Sequence, residues 1–434
     1  MSDIAEVEVA VSLFLDSRFS EAERLLKARS YRSLYHTLGY GVIGTIKALL
    51  TFEPQDVDAA MDALKAATDM ASACRKEQGF VAGLASMVTG AGRGGRDGSN
   101  LKNMTSLQRH AELAYAEAYL LKAVLSLVTD TNMVAFVREG LNIRSAYAIY
   151  KGCYKFLEKT FEDEGSEGLE RGGIDEHFVS GVLLGQGGFN LVLSMMPPRV
   201  LRLFEMIGFS GDREFALTRL EMGGGWPPTY RAAAAGGKGL RKFMCDLMLL
   251  MYHVILSSMV QLPDCNIPFA KRILEESLKN HPESFLFRTL RGRLFQTECH
   301  ADLAVTEYRR VISLQKEWRQ LVHICVWDMA TCEAAQGHWA EATACYTTLF
   351  EESRWSKAIY RYVQAVMLYA SDPEKNRDKV GEMLKEVPKL TQKIAGKSIP
   401  LEKFVSRKAR KFHLQDRRLF FPWLEILYIF NGFD

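Results

Sequence analysis

The segment FLFRTLRGRLFQTECHADLAVTEYRRVISLQK (285–316) and the segment HICVWDMATCEAAQGHWAEATACYTTLFEESR (323–354) share one pattern at an offset of 38 residues. At that offset the small and aromatic residues of the pattern coincide: Gly292 with Ala330, Ala304 with Ala342, and Tyr308 with Tyr346. In each segment a small residue is followed twelve positions later by alanine, and four positions after that by tyrosine. Apolar residues recur at helical spacing around these positions, so each segment predicts two antiparallel helices.

This pattern is typical of tetratricopeptide repeats. In such a hairpin the small residue lets the two helices approach closely, the alanine opens the same space from the other side, and the aromatic ring fills it. A single hairpin cannot bury its apolar face alone, and successive hairpins therefore stack. The sequence predicts an all-α fold, a tetratricopeptide-like helical-repeat solenoid, whose surface is suited to contact with another molecule.

The composition of the chain agrees with this fold and argues against some classes of partner and site. The chain has 434 residues, 48% of them hydrophobic, and 55 basic against 52 acidic residues give a net charge of +3. This balance provides no global field to attract nucleic acid, and we expect no nucleic-acid partner. The eight cysteines show no C-x-x-C pair or zinc-site spacing, which indicates reduced thiols in an intracellular protein.

The first 15 residues carry acids and lack the basic start and cleavage pattern of a signal peptide. We therefore expect a cytoplasmic protein, with the nucleus, the lipid-droplet surface and the mitochondrial outer membrane as alternative locations. Four sections are predicted: degenerate repeat hairpins at 1–88, a flexible Gly/Arg loop at 89–103, a central helical region at 104–262, and repeats with a closing helix at 263–434. The N-terminal hairpins pair Glu6–Asp16 with Phe19–Ala28, and Leu34–Thr51 with Pro54–Cys74.

The central section is less regular. It contains predicted helices at Met104–Val128 and Asn132–Leu157, followed by an acidic, glycine-containing loop at Glu162–Glu176. The uncharged run FVSGVLLGQGGFNLVLSMMPP (178–198) has the length of a membrane span, but its four glycines, two serines, Gln186 and Asn190 lower its hydropathy. We therefore expect a buried central helix that stops at Pro197–Pro198. A second uncharged run, Leu247–Val260, has 14 residues and the length of a core helix.

Five stretches carry a resemblance to a known family: SLYHTLGYG (33–41), GFNLVLSMMPPRVLRLFEMIGFSGDREFAL (188–217), WSKAIYRYVQAVMLYAS (355–371), AGKSIPLEKFVSRKARKF (395–412) and PWLEILYIFNGF (422–433). They resemble animal tetratricopeptide repeat protein 39 and the fungal inclusion-body-clearance proteins. The resemblance implies an all-helical, largely cytosolic protein with degenerate repeats and no known catalytic residues. It also implies a setting in lipid and cholesterol homeostasis, or in the clearance of protein inclusions linked to lipid droplets.

Enzyme motifs are incomplete. Gly396-Lys397-Ser398 mimics the end of a phosphate-binding loop, but Thr391 stands where the first glycine is required, and the triplet is expected after a helix rather than a strand. The triplet Asp175-Glu176-His177 has no second histidine at helical spacing for a metal. We therefore predict no catalysis, no cofactor and no metal.

Two surfaces are candidate sites. The first is a partner groove on the first helices of the two clear hairpins, formed by Thr289, Arg293, Gln296, Trp327 and Thr331, and suited to an extended peptide or a short helix. The alternative is that Trp327 packs between neighbouring hairpins. The second is an anionic-surface patch of Lys403, Arg407, Lys408, Arg410 and Lys411, which could contact an anionic membrane or lipid droplet. The alternative there is an ordinary solvated helix face, with 422–430 as a closing helix.

The prediction for function is a non-catalytic scaffold or adaptor that binds a protein in a repeat groove. The alternative is a lipid-handling protein in which the 178–198 and 247–260 helices wall an apolar cavity. A closed, ligand-sized apolar cavity would favour the lipid alternative, whereas a well-packed centre together with an open groove would favour a protein partner.

Overall fold

A computed structural model describes residues 3–51, 53–76, 101–129, 133–196, 201–202, 204–205, 209, 211–226, 238–260, 262, 264–394 and 397–432. Two units make up the chain. Unit 1 comprises Met1–Phe14 and Arg18–Met251, and unit 2 comprises Leu15–Ser17 and Tyr252–Asp434. The described residues are overwhelmingly helical, with 18 helices packed largely in consecutive pairs, which confirms the all-α prediction.

The helices of the first part of the chain are α1 (Ile4–Leu15), α2 (Phe19–Arg29), α3 (Leu34–Thr51), α4 (Pro54–Lys76), α5 (Ser106–Thr129), α6 (Met133–Arg171), α7 (Glu176–Ser194), α8 (Arg213–Gly223) and α9 (Lys242–Met259). In α9, the segment Lys242–Leu250 is α-helical, Met251–Leu256 is π-helical and Ser257–Met259 is α-helical again. The two N-terminal hairpins have the predicted positions, and Pro54 begins α4 as expected of proline at a helix start.

Of the loop predicted at 89–103, residues 89–100 lie outside the described residues. Its last three residues, Leu101–Asn103, form a 3-10 helix in which Leu101 is buried, so the loop prediction is wrong there. Leu101 belongs to the core cluster that also contains Leu113 and Phe178, and this packing holds Leu101–Asn103 in place.

The loop predicted at Glu162–Glu176 is wrong over most of its length. Helix α6 continues to Arg171, interrupted only at Gly165, where φ is 66° and ψ is −156°. Glycine adopts this left-handed backbone without a Cβ clash, so the chain bends there and then resumes its helix. Glu164 pairs with Arg171 across the bend at 3.5 Å.

Helix α7 is the buried central helix that the sequence predicts. Sixteen of its 19 residues are buried, and the Asp175 carboxylate accepts the Phe178 N–H at its start. Glycines allow this burial: a Cβ at Gly185 would overlap the Tyr150 ring, and one at Gly187 would lie 2.7 Å from Leu220. The helix ends at Ser194, before the two prolines, and the centre of unit 1 is therefore tightly packed around it.

By length and composition, α9 is the one described helix that could cross a membrane, with 39% of its 18 residues buried. It contains all but the last residue of the run Leu247–Val260, which the sequence assigns to a core helix. Leu249, Leu250 and Val254 are indeed fully buried, whereas Met259 is exposed. Within the same helix Asp246 is buried and accepts hydrogen bonds from the Trp226 indole at 2.6 Å and from Lys242 at 2.9 Å.

The helices of the remaining chain are α10 (Ile267–Asn280), α11 (Phe285–Thr297), α12 (Ala301–Leu314), α13 (Arg319–Ala335), α14 (Trp339–Glu352), α15 (Lys357–Ser371), α16 (Arg377–Glu386), α17 (Pro400–Leu414) and α18 (Pro422–Ile429). Pairs α11/α12 and α13/α14 are the two hairpins of the sequence repeat, and α15/α16 adds a third. Tyr308 and Tyr346 are both fully buried: Tyr308 lies against Gly292, and Tyr346 shares a core cluster with Ala330.

A 3-10 turn, Val387–Lys389, follows α16 and leads to a short antiparallel pair, β1 (Lys393–Ile394) and β2 (Lys397–Ser398), in which Lys393 pairs with Ser398. This pair was not predicted from the sequence, because a strand of two residues is too short to show alternating apolar and polar side chains. The sequence also predicts the Lys397-Ser398 dipeptide directly after a helix, whereas the dipeptide forms β2 of this hairpin.

Candidate functional site on the A-helix face of unit 2

The first helices of the three successive hairpins, α11, α13 and α15, form one side of the repeat stack, which we call the A-helix face. Neighbouring hairpins meet at this face: α11 contacts α13, and the Trp327 ring of α13 contacts the Tyr360 ring of α15. All five predicted groove residues lie on α11 or α13: Thr289, Arg293 and Gln296 on the first, Trp327 and Thr331 on the second. The structure therefore brings them to adjacent helices.

The polar groove residues are engaged in contacts within and between the repeats. The Arg293 guanidinium donates to the buried Asp328 carboxylate at 2.6 Å. Burial raises the pKa of Asp328, and the positive charge of Arg293 opposes that rise. The side-chain carbonyl of Gln296 accepts a hydrogen bond from the Tyr308 hydroxyl at 3.4 Å. The Thr289 hydroxyl lies 3.3 Å from the thiol of the buried Cys325. These groups join α11 to its neighbours.

Trp327 is the centre of an aromatic cluster. Its ring meets those of Tyr346, Trp355, Tyr360 and Phe430 at centroid distances of 5.8, 5.7, 5.6 and 4.5 Å. Thr331, one turn further along α13, is buried and donates to the Trp327 carbonyl at 3.2 Å. Trp327 thus has the contacts of the packing alternative, and Thr331 is not open to solvent.

Phe430 reaches Trp327 because the last described helix lies on the A-helix face. Helix α18 contacts α13 and α15, and it buries Pro422, Ile426 and Leu427. Beyond it, a Cβ at Gly432 would lie 3.2 Å from the Thr331 methyl group. The sequence predicts a closing helix on the last hairpin, and α18 extends further, back to the preceding one.

The two residues before α18 and the opposite side of the helix are apolar and exposed. We call this surface the outer patch, and it consists of Phe420, Phe421, Leu424, Tyr428 and Ile429. Phe420 is 87% exposed and Tyr428 is 77% exposed. Single exposed apolar residues are common on protein surfaces, whereas large contiguous apolar patches are typical of interaction sites. The sequence shows that this segment is rich in aromatic residues, but it does not show which of its side chains are buried and which are exposed.

The predicted anionic-surface patch is on α17. Lys403, Arg407, Arg410 and Lys411 are exposed at spacings of four, three and one, so they share one helix face. Leu414 extends this face and is 85% exposed. Lys408 points elsewhere: it pairs with Glu425 of α18 and lies 5.6 Å from the centre of the Phe404 ring.

Two pockets are found among the described residues of unit 1, and both are partly open to solvent. An apolar pocket of about 50 Å³ lies among α1, α2, α3 and the start of α9, with Val7, Leu26 and Phe243 in its wall. Ligand pockets for drug-sized molecules usually have volumes of about 300–1,000 Å³. A wider cleft of about 810 Å³ lies beside α5 and α6, and its lining includes the charged side chains of Lys102 and Lys159. Neither space is the ligand-sized apolar cavity between 178–198 and 247–260 that the lipid alternative requires.

A buried ionic network in unit 1 escaped the sequence analysis. Arg241 donates to Glu117 through Nε at 3.0 Å and Nη2 at 2.6 Å, and its Nη1 donates to the Tyr35 hydroxyl at 3.3 Å. Tyr35 also contacts His110, whose other ring nitrogen lies 3.1 Å from Asp175. The polar atoms of these side chains form hydrogen bonds with one another. The residues are separated by up to more than 200 positions in the sequence, so no local motif indicates the network.

The eight cysteines are free thiols, and burial raises the pKa of Cys325 to about 12. Among the residues that the structure describes, no group of three or more His, Cys, Asp or Glu side chains is arranged to hold a metal ion.

Comparison with known proteins agrees with the resemblance noted from sequence. The family model described as Iml2/Tetratricopeptide repeat protein 39 matches residues 8–434. The chain is 30% identical over 437 residues to Tetratricopeptide repeat protein ttc-39B of Caenorhabditis elegans, an alignment that covers 100% of this chain and 71% of the worm protein. Because these matches extend over essentially the whole chain, the chain belongs to the Iml2/tetratricopeptide repeat protein 39 family.

Proposed function

We propose that this protein is a non-catalytic adaptor that binds another protein through unit 2. The outer patch carries the proposal, because it places five large apolar side chains in solvent beside the A-helix face of a repeat stack. Tetratricopeptide-like stacks commonly present extended surfaces to partners, and the family relationship supports this class of function. We infer a cytoplasmic setting in lipid and cholesterol homeostasis or in clearance of protein inclusions.

Site-specific photo-crosslinking in cells tests the protein partner. A photoreactive residue replaces Tyr428 in the outer patch, and a matched probe replaces Leu303, which is 45% exposed on the second helix of the α11/α12 hairpin. We expect discrete protein adducts at position 428 and none of the same mass at position 303. Identical adducts at both positions, or adducts at neither, would contradict the proposal.

A second candidate function is peripheral contact with an anionic membrane or lipid droplet. The basic face of α17 and the exposed Leu414 and Tyr428 favour it, since basic residues near an anionic surface add about 1 kcal/mol each. Aromatic side chains such as Tyr428 also suit the lipid interface.

Flotation with vesicles containing anionic lipid separates the two candidates. We expect the chain to float at low salt, and Lys403→Glu with Arg407→Glu to abolish flotation. The control Lys279→Glu with Lys379→Glu makes the same charge change at other exposed positions. Equal loss in both pairs would indicate a general charge effect, and no flotation of the unaltered chain would remove the membrane candidate.

A further inference from the structure

The segment Pro422–Gly432 lies along the A-helix face in the way that a bound peptide would. Its helix contacts α15 and α13, Phe430 packs on Trp327, and Gly432 lies against Thr331. The Asn431 side chain then donates to the Ser258 carbonyl near the end of α9. The segment therefore crosses the inner side of successive hairpins, where tetratricopeptide-like stacks offer a binding groove.

Its anchors form a compact motif. Ile426 and Leu427 are almost completely buried, Phe430 closes the aromatic cluster around Trp327, and Glu425 pairs with Lys408. In sequence this is an acidic residue, two aliphatic residues, two further positions and an aromatic residue. Such a set of anchors, spaced over about one and a half helical turns, is how a short amphipathic helix is recognised in a groove.

Two local features oppose docking of the segment and act against its tertiary contacts. Helix α18 has eight residues, and helices this short are marginal in water without tertiary contacts. The connection from α17 contains two non-glycine residues, Arg417 and Phe421, with left-handed backbone at φ of 57° and 40°. Because such conformations are unfavourable for these two residue types, undocking the segment would release local strain.

We propose that the Trp327-centred part of the A-helix face is a binding site for a short amphipathic helix of a partner protein, and that α18 occupies this site as an internal competitor. The partner helix carries an acidic residue followed by two aliphatic residues and, three positions after the second, an aromatic residue. This site lies beneath α18 and is distinct from the outer patch, and it rests on the proposed adaptor function for its role in the cell. Its existence can be tested without any partner.

The test uses a fluorescent peptide of residues 419–432 and the full chain. In the triple variant Ile426→Ser, Leu427→Ser, Phe430→Ser the internal helix loses its anchors, so the peptide should bind at least ten-fold more tightly than to the unaltered chain. The control variant Val9→Ser, Leu303→Ser makes the same kind of change at exposed apolar residues outside α18 and should show no gain. A control peptide with the same three anchors replaced by serine should not bind.

A folded triple variant that fails to bind the peptide would show that α18 is only a structural cap. If the triple variant does not fold, hydrogen exchange of the unaltered chain decides: amides of α18 should exchange at least 100-fold faster than those of α15, and excess peptide should accelerate them further. Equal protection of α18 and α15, unaffected by peptide, would overturn the proposal. Peptide binding without any cellular crosslink would confirm the site while contradicting the adaptor function.

Discussion

At Gly292, helix α11 approaches the Tyr308 ring so closely that a Cβ would lie 2.5 Å from the ring Cε1 atom. Gly292→Val should therefore lower the free energy of unfolding by about 2 kcal/mol, since overpacking a filled core typically costs about 1–3 kcal/mol. Chemical denaturation measures the change. Thr306→Val introduces the same side chain at an exposed position of α12 and should stay within about 0.5 kcal/mol of the unaltered chain.

His253 makes the stability of unit 2 depend on pH. Its ring is buried, Nδ1 accepts the Asn266 N–H at 3.2 Å, and burial lowers the pKa of His253 to about 4. An unfolded histidine titrates near pH 6.5, so acidification below that value protonates the unfolded chain first. Stability present above pH 6.5 should fall between pH 6.5 and pH 4, by at most about 3 kcal/mol.

Denaturation midpoints at pH 7.0 and pH 5.0 check this dependence. His253→Asn keeps an acceptor for the Asn266 N–H without a titrating group, and it should flatten the pH dependence even if it lowers stability overall. A variant that loses as much stability as the unaltered chain on acidification would assign the effect to other groups.

Residue-scale prediction succeeds where the determinants are local. Gly292 and Tyr308 are sixteen positions apart in one hairpin, and the repeat of their spacing identifies both roles. Glu117 and Arg241 are 124 positions apart, and nothing near either residue indicates their pairing. For Trp327, the sequence allowed either a groove position or packing between hairpins, and the deciding neighbour is Phe430, which lies five helices further along the chain.

At the scale of elements, α6 shows that glycine can bend a helix without ending it. Gly165 has φ of 66°, and a Cβ there would meet no atom within 4 Å. Gly165→Ala should therefore destabilise the protein by about 1–2 kcal/mol through backbone conformation alone. Ser166→Ala, at the next exposed position, should be close to neutral. A gain in stability for Gly165→Ala would mean that the segment prefers a straight helix.

Helix periodicity predicts most elements, but it does not specify which side of an apolar helix is buried. The predicted hairpins of the N-terminal part and of the repeats appear at their expected positions, since their apolar residues recur on one stripe. The acidic, glycine-containing composition of 162–176 indicated a loop, although only Gly165 leaves the helical backbone before residue 172. Helix α18 is apolar on both sides, and only tertiary contacts decide that Ile426 faces inward and Tyr428 outward.

At the scale of the whole molecule, the core clusters follow the division into two units. The cluster around Tyr346 and Val363 lies entirely in residues 322–427, whereas those around Leu64, Val182 and Phe189 lie in unit 1. In a stack of helical hairpins, destabilisation spreads mainly to neighbouring elements. A change in one unit should therefore open that unit preferentially.

Native-state hydrogen exchange of two variants tests this locality. Glu117→Ala leaves the buried Arg241 without its carboxylate, and breaking a buried pair in this way typically costs about 3–5 kcal/mol. It should accelerate exchange in α5, α7 and α8 and leave α13 and α15 close to their original rates. Gly292→Val should produce the opposite distribution, with faster exchange in α11–α13. Equal acceleration in both units by either variant would show that the chain opens as one cooperative structure, and the stability of each unit would then depend on both cores.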